Sequence, residues 1–271
     1  MSTQQEPARL TVRDLRRRRE AGEPIVCLTA YDALLARLSE DAGVHLLLVG
    51  DSLGMTVLGY KSTVPVTLEQ SLHHTAAVVR GTRRALVVGD MPFMTYQVSA
   101  EQALVNAARY LQEAGADAVK LEGGVHIAPT VRRLVQAGVP VLGHVGLLPQ
   151  RVNVDGGYRV YGRREAEAAQ IVADALALEE AGAFGVVLEG VPAALAKTIT
   201  GELKIPTIGI GAGVGCSGQV QVIHDILGLF EEFVPKHTKP YANLAGEVRK
   251  ALSAYAADVQ SRKFPGKAQS W

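Results

Sequence analysis

The sequence predicts an α/β protein that folds as a single domain, a (β/α)8 TIM barrel, and three observations favour this fold class. Short apolar segments alternate with longer segments of helical periodicity, which is typical of repeated βα units around a parallel sheet. Eight of the apolar segments have the composition of strands. The chain has 271 residues, and a barrel of this kind typically needs about 250. A doubly wound parallel sheet is the alternative that the alternation alone leaves open.

Each strand is predicted where apolar and β-branched residues run together. In order, these segments are IVCLTA at 25–30, HLLLV at 45–49, ALVVG at 85–89, AVKL at 118–121, VPVLG at 139–143, GVVL at 185–188, TIGI at 207–210 and VQVI at 220–223. Apolar residues at helical spacing between them predict helices at 32–42, 68–80, 100–114, 127–137, 164–181 and 193–202. Thr11 is the predicted N-cap of a further helix that ends at Glu20. Glycine directly after three helical segments, at Gly115, Gly138 and Gly182, is typical of a left-handed cap before the next strand.

Composition and charge exclude several classes of protein. Hydrophobic residues make up 48% of the chain and charged residues 20%, and the net charge is only +1, so no overall field would hold nucleic acid or an anionic membrane. Consecutive arginines at 16–19 indicate an exposed helix surface, with nucleic-acid binding as the less favoured alternative. No apolar run approaches the roughly 20 residues of a membrane span. Cys27 and Cys216 fit no metal-site spacing, which indicates reduced thiols and a cytoplasmic protein.

The organisation along the chain is expected to be simple. Residues 1–10 are predicted to form a flexible N-terminal segment, residues 11–257 the barrel, and residues 258–271 a polar C-terminal tail. The loops at 53–66 and 147–162 are longer than the others. Because the loops that follow barrel strands lie on the face where such enzymes build their sites, both loops are candidate lids.

Acidic residues directly follow four of the predicted strands. Asp51 comes after HLLLVG, Asp90 after ALVVG, Glu122 after AVKL and Glu189 after GVVL. The carboxyl ends of barrel strands meet at one mouth, where such carboxylates repel one another unless a cation offsets their charge. Oxygen ligands of this type suit Mg²⁺. A single acid at such a position is more often a helix cap or first-turn charge, but four at matched positions favour a shared site.

Three further polar residues lie at predicted strand ends. Lys120 is two residues before Glu122, so both side chains lie on the same face of a strand, and a lysine that points into a barrel needs an anionic partner. That partner is either a substrate carboxylate or a neighbouring acid. His144 is either a packed, hydrogen-bonded histidine or a substrate contact. Ser52 either caps the segment that follows it or belongs to the site.

Seven segments together resemble one enzyme family, in the order of its signatures. They are LTAYDA at 28–33, VGDSLGMTVLGYKSTVPVT at 49–67, DMPFMTYQ at 90–97, VKLEGG at 119–124, GHVGLLPQ at 143–150, GGYRVYGR at 156–163 and GAFGVVLEGVP at 182–192. The family is ketopantoate hydroxymethyltransferase, and the resemblance covers about residues 10–255.

The resemblance implies a (β/α)8 barrel that transfers a one-carbon unit from 5,10-methylenetetrahydrofolate to 3-methyl-2-oxobutanoate, giving 2-dehydropantoate (ketopantoate) for pantothenate and coenzyme A synthesis. It implies one Mg²⁺ per subunit and an enolate of the keto acid that this ion stabilises. Members are homo-oligomers, decamers among them. The residues of this sequence that match the family's positions are Asp51, Asp90 and Glu122 for the metal, Ser52, Asp90 and Lys120 for the keto acid, and Glu189 as proton acceptor.

Two other functions stay open at this point. An enzyme like phosphoenolpyruvate mutase or isocitrate lyase also holds a 2-oxo acid on Mg²⁺ through acids at barrel strand ends. A catalytically silent barrel could bind phosphate through the glycines at 209–215, although converging acids without a cation would cost it stability. If Asp51, Asp90 and Glu122 share one Mg²⁺, replacing any one of them should weaken metal binding and cost the metal-free protein little stability.

Overall fold

Eight parallel strands close into a barrel. The structure is a computed structural model that describes residues 8–232 and 234–271, so residues 1–7 of the predicted N-terminal segment lie outside the described residues. Each strand pairs with its neighbour in sequence, and the last pairs with the first. The (β/α)8 prediction is therefore confirmed, and the doubly wound alternative is wrong. The strands are β1 (Ile25–Thr29), β2 (Leu46–Val49), β3 (Leu86–Asp90), β4 (Ala118–Glu122), β5 (Val141–Gly146), β6 (Gly185–Glu189), β7 (Thr207–Ile210) and β8 (Gly218–Gln221).

The helices are α1 (Val12–Glu20), α2 (Ala33–Asp41), α3 (Leu53–Thr56), α4 (Leu68–Gly81), α5 (Ala100–Gln112), α6 (Ala128–Gln136), α7 (Val152–Asp155), α8 (Glu165–Glu180), α9 (Ala193–Glu202), α10 (Ile223–Ile226) and α11 (Leu244–Gln260). Seven of them occupy the predicted helical segments, whereas α3 and α7 lie in the two predicted long loops and α10 and α11 lie where no helix was predicted. Thr11 caps α1, and the Asp14 carboxylate accepts hydrogen bonds from its backbone N–H at 2.9 Å and its hydroxyl at 2.6 Å. The three glycines predicted to end helices have φ values of +76°, +92° and +96°, which confirms the left-handed conformation.

Alternation along the strands separates two layers of side chains. Outward-facing residues such as Val119, Leu121 and Val186 pack in the larger core between the sheet and the helices. Inward-facing residues such as Val88, Ala118 and Leu142 fill the barrel. The same alternation turns inward the polar residues in the carboxyl-terminal parts of neighbouring strands, above this apolar filling. These residues are Asp90, Lys120, Glu122, His144 and Glu189.

β7 has the predicted bounds, and the ends of the other strands differ from the prediction by at most three residues. Asp90, Glu122 and Glu189 are the last residues of β3, β4 and β6 rather than the first residues of loops. β5 continues to Gly146, which pairs with Glu189 of β6, so His144 lies inside a strand. The reason is the barrel register, because each acid still has a pairing partner on the neighbouring strand. A backbone position inside a strand fixes these side chains more firmly than a loop would.

The chain divides into two compact units, Met1–Val222 with all eight strands and Ile223–Trp271. In the second unit, α10 is followed by α11, and the backbone N–H of Tyr241 donates to the carbonyl of Ile226 at 2.7 Å. α11 runs through the predicted boundary between residues 257 and 258. Within the described parts of the chain, no helix is both long enough and apolar enough to cross a membrane.

Candidate active site

A layer of buried charge lies at the carboxyl-terminal mouth of the barrel. Asp90, Lys120, Glu122 and His144 come from the adjacent strands β3, β4 and β5, and at most 4% of each residue is exposed. Asp51, two residues beyond the end of β2, is also buried. Ionisable groups are rarely buried to this degree without partners, so each of these side chains is expected to contact an opposite charge or a hydrogen-bonding group.

Lys120 links the acids of β3 and β4. Its Nζ lies 2.8 Å and 2.9 Å from the two carboxylate oxygens of Asp90 and 3.4 Å from Oε1 of Glu122. Burial opposes the charge of Lys120, but the two carboxylates outweigh burial and raise its pKa, so the ammonium stays protonated. The anionic partner expected for Lys120 is therefore a neighbouring acid in this structure.

Asp51 is the buried acid whose negative charge is not paired with Lys120 in the way that the charges of Asp90 and Glu122 are. Its backbone N–H donates to Oδ2 of Asp90 at 3.0 Å, which holds the Asp90 carboxylate against the backbone of Asp51. Burial, and then repulsion by Asp90 and Glu122, raise the pKa of Asp51 well above its ordinary value. The four acids of the mouth, Asp51, Asp90, Glu122 and Glu189, outnumber its two basic side chains, Lys120 and His144.

Two buried residues outside the sequence prediction complete the hydrogen bonding of the acids. The side-chain amide of Gln150 donates to Oδ2 of Asp51 at 3.0 Å, and its backbone N–H donates to Oε2 of Glu122 at 3.1 Å. The hydroxyl of Tyr96 lies 2.8 Å from Oε1 of Gln150 and accepts from the backbone N–H of Glu122 at 3.1 Å. Both residues lie within family-like segments, DMPFMTYQ and GHVGLLPQ, which is the signal that could have found them.

His144 connects the buried acids to Glu189. Its Nδ1 is 3.5 Å from Oε1 of Glu122 and its Nε2 is 3.2 Å from Oε2 of Glu189. Neither ring nitrogen of His144 makes a hydrogen bond with a described residue. Burial and Lys120 lower the pKa of His144, but the two glutamates outweigh them and raise it to about 9. The Glu189 side chain is 19% exposed, so solvent reaches it more than it reaches the buried acids.

Six of the seven predicted site residues thus form one continuous chain of contacts, from Asp51 to Glu189. Ser52, the seventh, follows Asp51 in the chain, and its hydroxyl lies 2.8 Å from the hydroxyl of Tyr31. It makes no side-chain cap for α3, so the capping role predicted as an alternative is not realised.

Comparison with known proteins decides the family. The family model described as ketopantoate hydroxymethyltransferase matches residues 9–267. The chain belongs to the ketopantoate hydroxymethyltransferase family. A 3-methyl-2-oxobutanoate hydroxymethyltransferase of Chloroflexus aurantiacus is 63% identical over 95% of this chain and 91% of its own length. One from Syntrophus aciditrophicus is 54% identical over the full length of both chains.

Solved structures of other enzymes share the barrel fold of this chain. A phosphonopyruvate hydrolase in complex with oxalate and Mg²⁺ has a TM-score of 0.64 at 15% identity, covering 94% of this chain and 90% of that one. A 2,3-dimethylmalate lyase of the phosphoenolpyruvate mutase/isocitrate lyase superfamily has a TM-score of 0.61 at 19% identity, covering 97% and 93%. Identities this low show the shared fold alone.

Proposed function

We propose that this hydroxymethyltransferase takes the one-carbon unit of 5,10-methylenetetrahydrofolate and, with water, adds it to C3 of 3-methyl-2-oxobutanoate, releasing 2-dehydropantoate and tetrahydrofolate. The observation that carries the proposal is the buried layer of Asp51, Asp90, Lys120 and Glu122 at the mouth of a barrel of this family. The substrate is a small anion with two adjacent oxygen donors, and this layer offers oxygen ligands beside a buried cation.

The acids suit Mg²⁺ in chemistry and in charge. The Asp90 carboxylate accepts from the backbone N–H of Asp51, and burial followed by repulsion from Asp90 and Glu122 raises the pKa of Asp51, so a divalent cation bound there would favour the charged form of this acid. In the described residues, no three His, Cys, Asp or Glu side chains form a group that could hold a metal ion as they stand. Mg²⁺ does not require three, because it keeps several waters and binds through one or two carboxylates. We assign it to Asp51, Asp90 and Glu122, directly or through waters.

The chain's own residues have separate tasks in this proposal. When Mg²⁺ is bound, it would polarise the keto carbonyl and stabilise the negative charge that develops as the C3 proton leaves. Ser52 and Lys120 would bind the oxygens of the keto acid, with Asp90 and His144 beside them. Lys120 is already held by Asp90, so its ammonium would meet the substrate with its position fixed.

Glu189 is assigned the removal of the C3 proton. It is the acid of the mouth whose side chain is partly exposed, whereas Asp90 and Glu122 are enclosed and bonded to Lys120. It stands on β6, two strands from the Lys120 cluster, so its carboxylate can face C3 while the oxygens of the keto acid face the other acids. His144 Nε2 lies 3.2 Å from it and would fix its orientation.

The remaining parts of the proposal concern the cellular setting. Reduced Cys27 and Cys216 support a cytoplasmic enzyme, since the described structure holds both as free thiols. The family resemblance supports a homo-oligomer, with a decamer as the expected size. Light scattering of the purified protein measures that size directly.

One assay tests the proposal against its main alternative. The protein is incubated with 3-methyl-2-oxobutanoate and methylenetetrahydrofolate, with and without a chelator, and ketopantoate is measured; isocitrate is the parallel substrate. We expect ketopantoate only in the metal-containing sample. Activity that survives thorough chelation would contradict the metal assignment, and cleavage of isocitrate without ketopantoate formation would favour the lyase alternative.

A further inference from the structure

Gln150 and Tyr96 are buried polar residues for which the proposed chemistry has no direct use. Gln150 is 4% exposed and Tyr96 is 2% exposed. Neither lies at a strand end: Tyr96 is in the loop after β3, and Gln150 is in a 3₁₀ turn, Pro149–Arg151, after β5. Each of these two loops therefore contributes one polar side chain to the hydrogen bonds around Asp51 and Glu122.

The side-chain amide of Gln150 has only one orientation that satisfies its neighbours. Nε2 donates to Oδ2 of Asp51 at 3.0 Å and to the carbonyl of Met91 at 3.0 Å. Oε1 accepts from Nε2 of Gln97 at 3.2 Å and faces the Tyr96 hydroxyl at 2.8 Å. A flipped amide would oppose its oxygen to a carboxylate and a carbonyl. The amide is therefore fixed by contacts on both sides.

The Tyr96 hydroxyl also helps to hold the side-chain amide of Gln150. It accepts from the backbone N–H of Glu122 at 3.1 Å, and its own proton faces two acceptors, Oε1 of Gln150 at 2.8 Å and the carbonyl of Glu122 at 3.1 Å, of which Oε1 of Gln150 is the nearer. Gln150 in turn gives its backbone N–H to Oε2 of Glu122. One hydroxyl and one amide thus connect the backbone and the carboxylate of Glu122 to the carboxylate of Asp51.

We propose that Tyr96 and Gln150 form a positioning pair that holds the Asp51 and Glu122 carboxylates in the arrangement that binds Mg²⁺. The inference rests on the metal assignment in the proposed function. Asp51 and Glu122 are both buried beside Asp90, and they share no direct contact in the described structure that would set their spacing. Gln150 gives each of them one N–H, which both separates and orients them. Hydrogen-bond partners of metal ligands typically contribute 10- to 100-fold to metal affinity.

The test compares two tyrosines. Tyr96→Phe removes the hydroxyl of the pair. Tyr110→Phe is the matched control, because the Tyr110 hydroxyl is also fully buried but bonds the Asp90 backbone carbonyl at 2.8 Å and the Ser71 hydroxyl at 2.7 Å instead of the Gln150 amide. The Kd for Mg²⁺ alone is measured by calorimetry on the full chain, and Tm is measured in chelator.

We expect Tyr96→Phe to raise the Kd for Mg²⁺ at least tenfold, while Tyr110→Phe changes it less than twofold and both variants lose a similar amount of Tm in chelator. Gln150→Met should raise the Kd at least as much, and the double variant should be no worse than the weaker-binding single variant, because the two residues act as a unit. Parent-like Mg²⁺ affinity in Tyr96→Phe, or equal losses in the two tyrosine variants, would overturn the pairing. If that happens while the parent still makes ketopantoate, the proposed function stands; a parent that binds Mg²⁺ but makes no ketopantoate overturns the function alone.

Discussion

Asp51 and Asp90 are adjacent buried aspartates, yet their replacement by asparagine should change the stability of the metal-free protein in opposite directions. Asp90 holds Lys120 through both carboxylate oxygens, at 2.8 Å and 2.9 Å. Asp51 has no such partner and is repelled by Asp90 and Glu122. Asp90→Asn therefore leaves a buried ammonium with less compensation, whereas Asp51→Asn removes a repelled charge and keeps an oxygen acceptor for Gln150.

The magnitude follows from the geometry of the lysine. Removing one partner of a buried ion pair typically costs about 3 to 5 kcal/mol. Since Glu122 remains 3.4 Å from Nζ, we expect the lower end for Asp90→Asn, about 3 kcal/mol, which lowers Tm by roughly 6 to 12 °C in a protein of this size. The free energy of unfolding of Asp51→Asn should equal or exceed that of the parent.

The assay is urea unfolding of parent and both variants at pH 7.5, first with a chelator and then with excess Mg²⁺. Mg²⁺ should stabilise the parent through preferential binding to the native state and should stabilise both variants less. Comparable losses of stability for the two variants in chelator would refute the reasoning, because they would show that Lys120 does not distinguish the two acids. A stabilised Asp90→Asn would refute it as well.

Three other outcomes are expected. Glu189→Gln should retain keto-acid and Mg²⁺ binding but lose hydrogen exchange at C3 of 3-methyl-2-oxobutanoate, as followed by NMR in deuterium oxide; unchanged exchange would remove Glu189 from the proton-acceptor role. Glu40→Gln should cost about 2 kcal/mol at pH 7, because its carboxylate accepts three backbone N–H groups, those of Arg83, Arg84 and Ala85. Burial raises the pKa of Glu40, but these donors outweigh burial and lower it, so its stabilisation is present above the ordinary pKa of 4.5 and is lost as the pH falls through the lower folded value. The stability difference between parent and variant should therefore shrink towards pH 3, and a constant difference in urea unfolding would contradict this account. Gly89→Ala should cost about 1 to 3 kcal/mol, because a Cβ there would lie 2.3 Å from the buried Tyr110 ring; a parent-like Tm would show that the ring can move.

The sequence predicts the strand framework and the acids well because both depend on local periodicity. An apolar strand that ends in Asp90 or Glu122 must turn that residue inward or outward, and closure of the barrel then brings the inward ones together. The eight strands and the glycine caps follow from the same local rules.

The partners of the acids could not be predicted in this way. Gln150 reaches Asp51 across 99 positions of sequence, from a turn whose path no periodicity describes. The sequence-based expectation that Asp51, Asp90 and Glu122 behave alike comes from their charges alone, because charge alone predicts that removing any one of them relieves repulsion. The position of Lys120, 2.8 Å from Asp90, is the reason we expect Asp90 to differ from the other two acids, and the unfolding assay tests this.

Both ends of the loop at 147–162 are attached to the end of the strand that carries Glu189. The backbone N–H of Leu147 donates to the carbonyl of Glu189 at 2.8 Å, and that of Tyr161 donates to the carbonyl of Gly190 at 2.9 Å. The carbonyls of two consecutive residues, Glu189 at the end of β6 and Gly190 after it, thus bind the beginning and the end of this loop. Residues between these two contacts, such as Val154 and Tyr158, are exposed. Residues added to or removed from the tip would leave both anchors and Glu189 in place. The tip is therefore the part of this loop whose length and composition can be varied independently of the frame that holds Glu189.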